Sequence, residues 1–129
     1  MALNVLIVDD SGVMRAMILK TLRMAEVPLG EVHQAANGQE GLQVLDNQWI
    51  DLVIVDINMP VMNGEEMIDR MLARPETKDI PKVVISTEGS EKRIARLKGK
   101  GAHFIHKPFS PETIRDTIYA ITGIGGAHE

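Results

Sequence analysis

The stretch VLIVDDSG at residues 5–12 gives the clearest indication of how this chain folds. Four apolar residues without polar alternation are typical of a strand that is covered on both faces, as strands in parallel sheets are. Two carboxylates, Asp9 and Asp10, follow where that strand ends. Taken alone, this pair fits a solvated turn with a helix cap as well as it fits a functional site.

The same arrangement of apolar runs and helical segments continues along the chain. Further strands are predicted at residues 52–55, 83–85 and 104–105, with a more polar edge strand at 31–35. Capping residues and helical spacing predict helices at residues 13–24, 37–47, 63–73, 91–100 and 110–123. In the first helix, Val13, Met17 and Leu22 are expected to share a face. This alternation predicts an α/β fold: a doubly wound, flavodoxin-like, five-stranded parallel sheet with helices on both faces.

Length and composition narrow the class of protein. The 129 residues predict one domain at residues 1–122, followed by a short flexible tail at 123–129. A net charge of −4 argues against nucleic acid as the main partner, and no apolar run is long enough for a signal or a membrane span. Cysteine is absent, which fits a reducing compartment. We therefore expect a cytoplasmic monomer that binds neither nucleic acid nor membrane.

Reactive side chains end four of the predicted strands. They are Asp9 and Asp10 after the first strand, Asp56 after the third, Ser86 after the fourth and Lys107 after the fifth. Ligands of open α/β sheets bind at the carboxyl ends of the strands, where the strand order reverses. If the order is 2-1-3-4-5, strands one and three are neighbours, so Asp9, Asp10 and Asp56 converge.

Three converging carboxylates predict a metal ion and a nucleophile. Mg²⁺ prefers hard oxygen ligands and typically takes one or two carboxylates together with phosphate oxygen. A remaining carboxylate can attack phosphorus to form an acyl phosphate, provided that the charge of the transferring group is neutralised. Asp56 is the candidate nucleophile, Lys107 the candidate point charge, and Ser86 the candidate hydrogen-bond donor.

Four motifs give the chain a family resemblance: VLIVDDS, LVIVDINMPVMNG, VVISTE and FIHKPF. Together they resemble the receiver domain of two-component response regulators, over residues 3–121, and the size is similar to that of single-domain members that act in chemotaxis. The resemblance implies that Asp56 accepts a phosphoryl group from a histidine kinase or phosphotransfer protein. It also implies that the chain is no enzyme beyond its own phosphorylation and autodephosphorylation.

The resemblance further implies a role for each site residue. Asp10, Asp56 and the backbone carbonyl of Asn58 would bind Mg²⁺ directly, and Asp9 would act through a bound water. Lys107 matches the family lysine, and its bond to Pro108 is expected to be cis. Ser86 and Phe104 match the switch pair that changes the face formed by the fourth helix, fifth strand and fifth helix, where a downstream protein target would bind.

Several positions are expected to tune the lifetime of the phosphoryl group. Thr87 stands where the family usually has Ala or Gly, so its branched side chain is expected to narrow access to Asp56 and slow hydrolysis somewhat. Asn58 and Glu88 match positions that tune hydrolysis, and Met14 is expected beside the mouth of the site. Phe104 replaces the commoner Tyr, which removes a phenol hydroxyl from the switch.

Other functions were weighed against this interpretation. A pseudo-receiver, which binds partners without control by phosphorylation, remains the alternative. A haloacid-dehalogenase-like phosphatase needs a proton-donating Asp two residues after the nucleophile, where this chain has Asn58. The basic segment containing Lys92, Arg93, Arg96, Lys98 and Lys100 predicts a solvated helix face, with docking of an acidic partner as the functional alternative.

Overall fold

Five parallel strands form one sheet in the order β2-β1-β3-β4-β5. The structure, a computed structural model, describes residues 2–123. The strands are β1 (Leu3–Val8), β2 (Leu29–Ala35), β3 (Leu52–Val55), β4 (Lys82–Ser86) and β5 (His103–His106). The helices are α1 (Gly12–Met24), α2 (Gly38–Asn47), α3 (Gly64–Leu72), α4 (Glu91–Gly99) and α5 (Pro111–Thr122). The predicted doubly wound parallel fold is therefore confirmed, while the tail expected at 123–129 lies, from residue 124 on, outside the described residues.

Two apolar layers cover the sheet, one on each face. Side chains of α1 and α5 pack with Leu52 and Ile54 of β3, and side chains of α2, α3 and α4 pack with Val53 and Val55. All four of these β3 side chains are at most 1% exposed, as expected of a central parallel strand. Because both faces are covered, the ends of the sheet are where the strands meet solvent.

Helix starts are set by polar caps that follow the strand ends. Ser11, Asn63 and Ser110 each accept a hydrogen bond from a backbone N–H in the first turn of α1, α3 and α5. At α3 the cap is reciprocal, because the Glu66 side chain also accepts from the Asn63 N–H. These caps, each worth about 1 kcal/mol, fix where α1, α3 and α5 begin after the strand ends that carry the reactive side chains.

The predicted shared face of α1 is wrong. Its buried side chains are Ile18 and Leu22, with Met14 partly buried against the same layer. Val13 and Met17 are 74% and 52% exposed. The interval from Met17 to Leu22 is five residues, which turns a helix about 140° off its starting face, whereas intervals of four keep Met14, Ile18 and Leu22 together.

None of the helices within residues 2–123 combines the length and the apolar character that crossing a bilayer requires.

Candidate functional site

Three carboxylates converge at the carboxyl ends of β1 and β3. Val8 and Val55 are partners in the β1–β3 register, so the next residues, Asp9 and Asp56, emerge side by side. The Asp56 N–H donates to the Val8 carbonyl at 3.0 Å, which extends the pairing by one residue. One oxygen from each of Asp9, Asp10 and Asp56 lies within 4.8 Å of the others. The convergence predicted from the strand ends is present.

The Asp9 carboxylate is buried and only partly satisfied. Its Oδ1 accepts a hydrogen bond from the Ser11 N–H at 2.9 Å. Its Oδ2 has no hydrogen-bond partner in the described part of the chain, although the residue is only 2% exposed. A buried carboxylate oxygen without a donor is unfavourable, and a cation or its bound water would relieve the cost. With Asp10 exposed to solvent beside it, this set of oxygens fits Mg²⁺.

Lys107 places a positive charge between two of these carboxylates. Its Nζ lies 3.7 Å from Asp56 Oδ2 and 3.6 Å from Asp9 Oδ2. The backbone holds it there, because the Lys107 N–H donates to the Ser86 carbonyl. The bond from Lys107 to Pro108 is cis, as expected. Both distances are longer than a direct hydrogen bond, so Lys107 acts here as a charge. One ammonium against three carboxylates leaves the cluster net negative.

The surroundings of Asp56 raise the pKa of its carboxyl group. Burial raises its pKa above the ordinary 3.8, Lys107 and the N–H of Ile57 oppose that increase, and Asp9 and Asp10 add to it. The Ile57 N–H donates to Asp56 Oδ1 at 2.8 Å. The raised pKa shows that Lys107 offsets only part of the cost of ionising Asp56, and a bound cation would offset more of it.

Gly64 lets α3 begin against the backbone of Asp56. The Gly64 N–H donates to the Ile57 carbonyl at 2.9 Å. A Cβ at position 64 would overlap the Asp56 carbonyl oxygen, so no larger residue fits without moving one of the two segments. Gly64 was not among the predicted site residues, although its place at the end of the INMPVMNG stretch was the available signal.

The loop between β3 and α3 contains a strained turn at Val61. The Met62 N–H donates to the Pro60 carbonyl at 2.7 Å, and the φ angle of Val61 is 69°. These features define a γ-turn, in which a β-branched residue at positive φ is unfavourable.

Replacing Val61 with Asn is expected to raise the free energy of unfolding by about 1 kcal/mol, because Asn adopts positive φ at lower cost. The Val61 side chain is 75% exposed, so little burial is lost. Urea unfolding of the two proteins measures the difference. A variant no more stable than the parent chain would show that the turn holds no such strain.

The Ser86 hydroxyl is tied to its own loop. Ser86 is buried, and its Oγ accepts a hydrogen bond from the Glu88 N–H at 3.1 Å. The Glu88 carboxylate in turn accepts from the Ser90 N–H and pairs with Arg93 at 3.1 Å. Thr87, between them, is exposed. Glu88, one of the residues expected to tune hydrolysis, thus forms its hydrogen bond and ion pair with the start of α4.

Phe104 lies beside an open groove of about 670 Å³ formed by α4, β5 and α5. Its ring is partly buried and stands 4.7 Å, centroid to centroid, from the ring of His106, at an angle of 59°. The sequence interpretation gave His106 no role. Strand periodicity, which puts residues two apart on the same face, was the signal that could have found this contact.

The remaining predicted site residues differ in exposure and in their partners. Asn58 is exposed in the loop after Asp56, and Met14 is partly buried against the α1/α5 layer. In the basic segment, Arg93, Arg96 and Lys100 form ion pairs with acidic residues of this chain. The predicted solvated face therefore carries fewer free charges than the sequence indicates.

Comparison with known proteins settles the family. Residues 5–119 match the model of the response regulator receiver domain. This chain is a member of that receiver family. The receiver is 33% identical to the chemotaxis protein CheY homolog of Campylobacter jejuni, over 95% of each chain. It is 34% identical to the chemotaxis protein CheY1 of Helicobacter pylori, over 94% of this chain and 98% of that one.

Solved structures support the same relationship. The chemotaxis protein CheY4 of Vibrio cholerae matches the receiver with a TM-score of 0.82 and 35% sequence identity, covering 94% of this chain and 99% of that one. A putative response regulator from Chloroflexus aurantiacus matches with a TM-score of 0.84 and 29% identity. The resemblance predicted from the four motifs is therefore confirmed, and it extends over nearly the whole chain.

Proposed function

We propose that this receiver is a phosphoacceptor of a two-component system. Asp56 takes a phosphoryl group from a histidine kinase or phosphotransfer protein, and the modification switches a protein-binding face. The observation that carries the proposal is the cluster of Asp9, Asp10 and Asp56 oxygens within 4.8 Å of one another, with Lys107 Nζ 3.7 Å from Asp56. Nucleophile, metal ligands and charge are all supplied by one end of the sheet.

Mg²⁺ is the proposed cofactor. Asp10, Asp56 and the backbone carbonyl of Asn58 would hold it directly, and Asp9 would hold it through a bound water. When bound, it neutralises charge on the transferring phosphoryl group. The Oδ2 atom of Asp9 supports this assignment, because it is buried and accepts no hydrogen bond in the described part of the chain, and the Lys107 ammonium is 3.6 Å away.

The proposed transfer is a displacement at phosphorus. An Asp56 carboxylate oxygen forms the new P–O bond, the P–N bond to the donor histidine breaks, and the released nitrogen takes a proton. Lys107 interacts with one phosphoryl oxygen, and the Ser86 hydroxyl leaves the Glu88 N–H to donate to another. In hydrolysis, water attacks phosphorus, releases inorganic phosphate and restores the carboxylate. We propose no catalytic activity beyond these two steps.

The proposed output is a protein contact on the face formed by α4, β5 and α5. Movement of the Ser86 hydroxyl and of the Phe104 ring would shift the populations of the alternative conformations of this face. The groove beside Phe104 supports the choice of surface. The relatives named as chemotaxis proteins support a role in a pathway of that kind.

NMR with beryllofluoride, a mimic of the phosphoryl group, tests the proposal. Adding it with Mg²⁺ is expected to shift the amide signals of Asp56, Ser86 and Lys107, and those of α4, β5 and α5. The Asp56→Asn variant under the same conditions is the control. Spectra that stay unchanged in the parent chain would favour a pseudo-receiver.

Magnesium is expected to stabilise the folded receiver, since it binds a cluster that the unfolded chain lacks. At about 100 times its Kd, a folded-state ligand adds roughly 2.7 kcal/mol to the free energy of unfolding. Thermal unfolding with MgCl₂ and with NaCl at equal ionic strength measures the specific part. Asp10→Asn should lose most of it, and an equal effect of both salts would contradict the metal site.

Thr87→Ala is expected to shorten the lifetime of the phosphoryl group, because a smaller side chain opens the approach of water to Asp56. A threefold faster rate corresponds to about 0.7 kcal/mol in activation free energy. Decay of the phosphorylated chain, followed by mass spectrometry, measures it. Thr87→Ser, which removes the methyl group alone, should also decay faster. Parent-like decay in both variants would refute crowding by Thr87.

A further inference from the structure

Helix α4 is held mainly by charged groups. Of its nine residues, Leu97 alone is a fully buried side chain. Helices α1, α3 and α5 each bury at least two apolar side chains, and α2 buries Leu42 together with Gly38 and Gly41. A helix with so few buried apolar contacts is easily displaced, so its polar contacts carry an unusually large share of its positioning.

The Glu65 carboxylate of α3 forms ion pairs with two basic side chains near the C-terminal end of α4. Glu65 accepts a bidentate pair from Arg96, with Nη2 to Oε1 at 2.9 Å, and a second pair from Lys100 at 3.0 Å. Lys100 also pairs with Asp69 of α3 at 2.8 Å. The Glu65 side chain is only 14% exposed. Bidentate, partly buried pairs are the geometrically specific kind of ion pair.

The charges of this cluster persist at neutral pH. The hydrogen bond from Arg96 lowers the pKa of Glu65 to about 2 from an ordinary 4.5, and the hydrogen bond and charge of Lys100 contribute to the same change. The carboxylate is therefore ionised throughout the range in which the receiver is studied.

Both ends of α4 are tied to segments that carry the reactive residues. Glu65 follows Gly64, whose backbone packs on the carbonyl of Asp56. At the other end, Glu88 binds the first turn of α4 through Ser90 and Arg93, and its N–H holds the Ser86 hydroxyl. Movement of the Ser86 hydroxyl breaks its hydrogen bond from the Glu88 N–H, while the Glu65 ion pairs at the other end of α4 remain.

We propose that Glu65 is a positioning residue that restrains α4 against α3 and so opposes the response of the output face to occupancy of Asp56. The claim that Glu65 opposes the response to occupancy of Asp56 rests on the proposed function. The claim that Glu65 restrains α4 against α3 does not. A restraint that must weaken during a response adds to its cost, so removing the restraint makes the response easier.

Two measurements on Glu65→Gln test the proposal, with Glu91→Gln as the matched control. Glu91 is exposed at the start of α4 and has no ion pair within residues 2–123. Without ligand, amide hydrogens of α4 are expected to exchange faster in Glu65→Gln than in the control. With Mg²⁺, apparent affinity for beryllofluoride is expected to rise roughly fivefold.

The outcomes separate the two proposals. If the Glu65→Gln variant matches the Glu91→Gln variant in both measurements, the proposal that Glu65 restrains α4 is overturned. If beryllofluoride does not bind the parent chain, the proposed function and the claim about the response are both refuted. Amide hydrogen exchange of α4 would still decide whether Glu65 restrains that helix. If the Glu65→Gln variant does not fold, replacing its basic partner by Lys100→Gln repeats the test, with Lys92→Gln as the control.

Discussion

Replacing Lys107 with Gln is expected to slow phosphorylation of Asp56 by about two to three orders of magnitude, the usual cost of removing one group that stabilises transition-state charge. Lys107 Nζ lies 3.7 Å from Asp56 Oδ2, and within residues 2–123 it is the one cation that forms an ion pair with these carboxylates. Glutamine keeps much of the length and loses the charge. The initial rate of labelling by acetyl phosphate with saturating Mg²⁺ measures the effect.

The metal site should survive this substitution. Removing an ammonium from among three carboxylates makes the cluster more negative, so Mg²⁺ affinity is expected to be equal or higher. Calorimetric titration with Mg²⁺ therefore separates loss of the charge from loss of the site. Lys92→Gln, on an exposed part of α4, is the matched control. Parent-like labelling of Lys107→Gln would remove Lys107 from the proposed reaction.

Replacing Gly64 with Ala is expected to lower the free energy of unfolding by about 3 kcal/mol, at the upper end of the usual range for overpacking. The added Cβ would overlap the carbonyl oxygen of Asp56 and also approach Ile57 Cα at 3.1 Å. Neither contact is a flexible side chain, so the backbone itself must shift. Urea unfolding measures the loss.

The same substitution should impair the site, because the atom that meets the new methyl group belongs to Asp56. A displacement of about 1 Å can cost about 10²-fold in rate. Gly99→Ala is the matched control, since a Cβ there meets no atom within 4 Å. It should leave labelling unchanged and stabilise α4 by up to about 1 kcal/mol. If Gly64→Ala matched Gly99→Ala, the close approach of α3 to Asp56 would be refuted.

Features set by local residue type were readable from the sequence. Unbroken apolar runs such as residues 52–55 predicted buried strands, and Asn63 and Ser110 predicted the starts of α3 and α5, because such caps act over three or four residues. The convergence of Asp9 and Asp56 followed from strand order alone. Edge strand β2 was predicted two residues short, because its first residues, Leu29 and Gly30, show little strand character.

Features that depend on contacts between distant elements were not readable in this way. The packing of Gly64 on Asp56 and the pairing of Glu65 with Arg96 join separate elements, and no spacing rule specifies them. Arg96 and Lys100 therefore looked solvated until their partners on α3 were located. The face of α1 was missed for a different reason, since the spacing chosen from Met17 to Leu22 did not follow the helical period.

The most direct test of the central claim is the intact mass of the receiver after incubation with Mg²⁺ and acetyl phosphate. The proposed function predicts a single phosphoryl increment that disappears in Asp56→Asn and when Mg²⁺ is withheld. An increment that survives in Asp56→Asn would place the acceptor elsewhere. No increment in the parent chain, under conditions that label another receiver, would contradict the phosphoacceptor function and favour a pseudo-receiver.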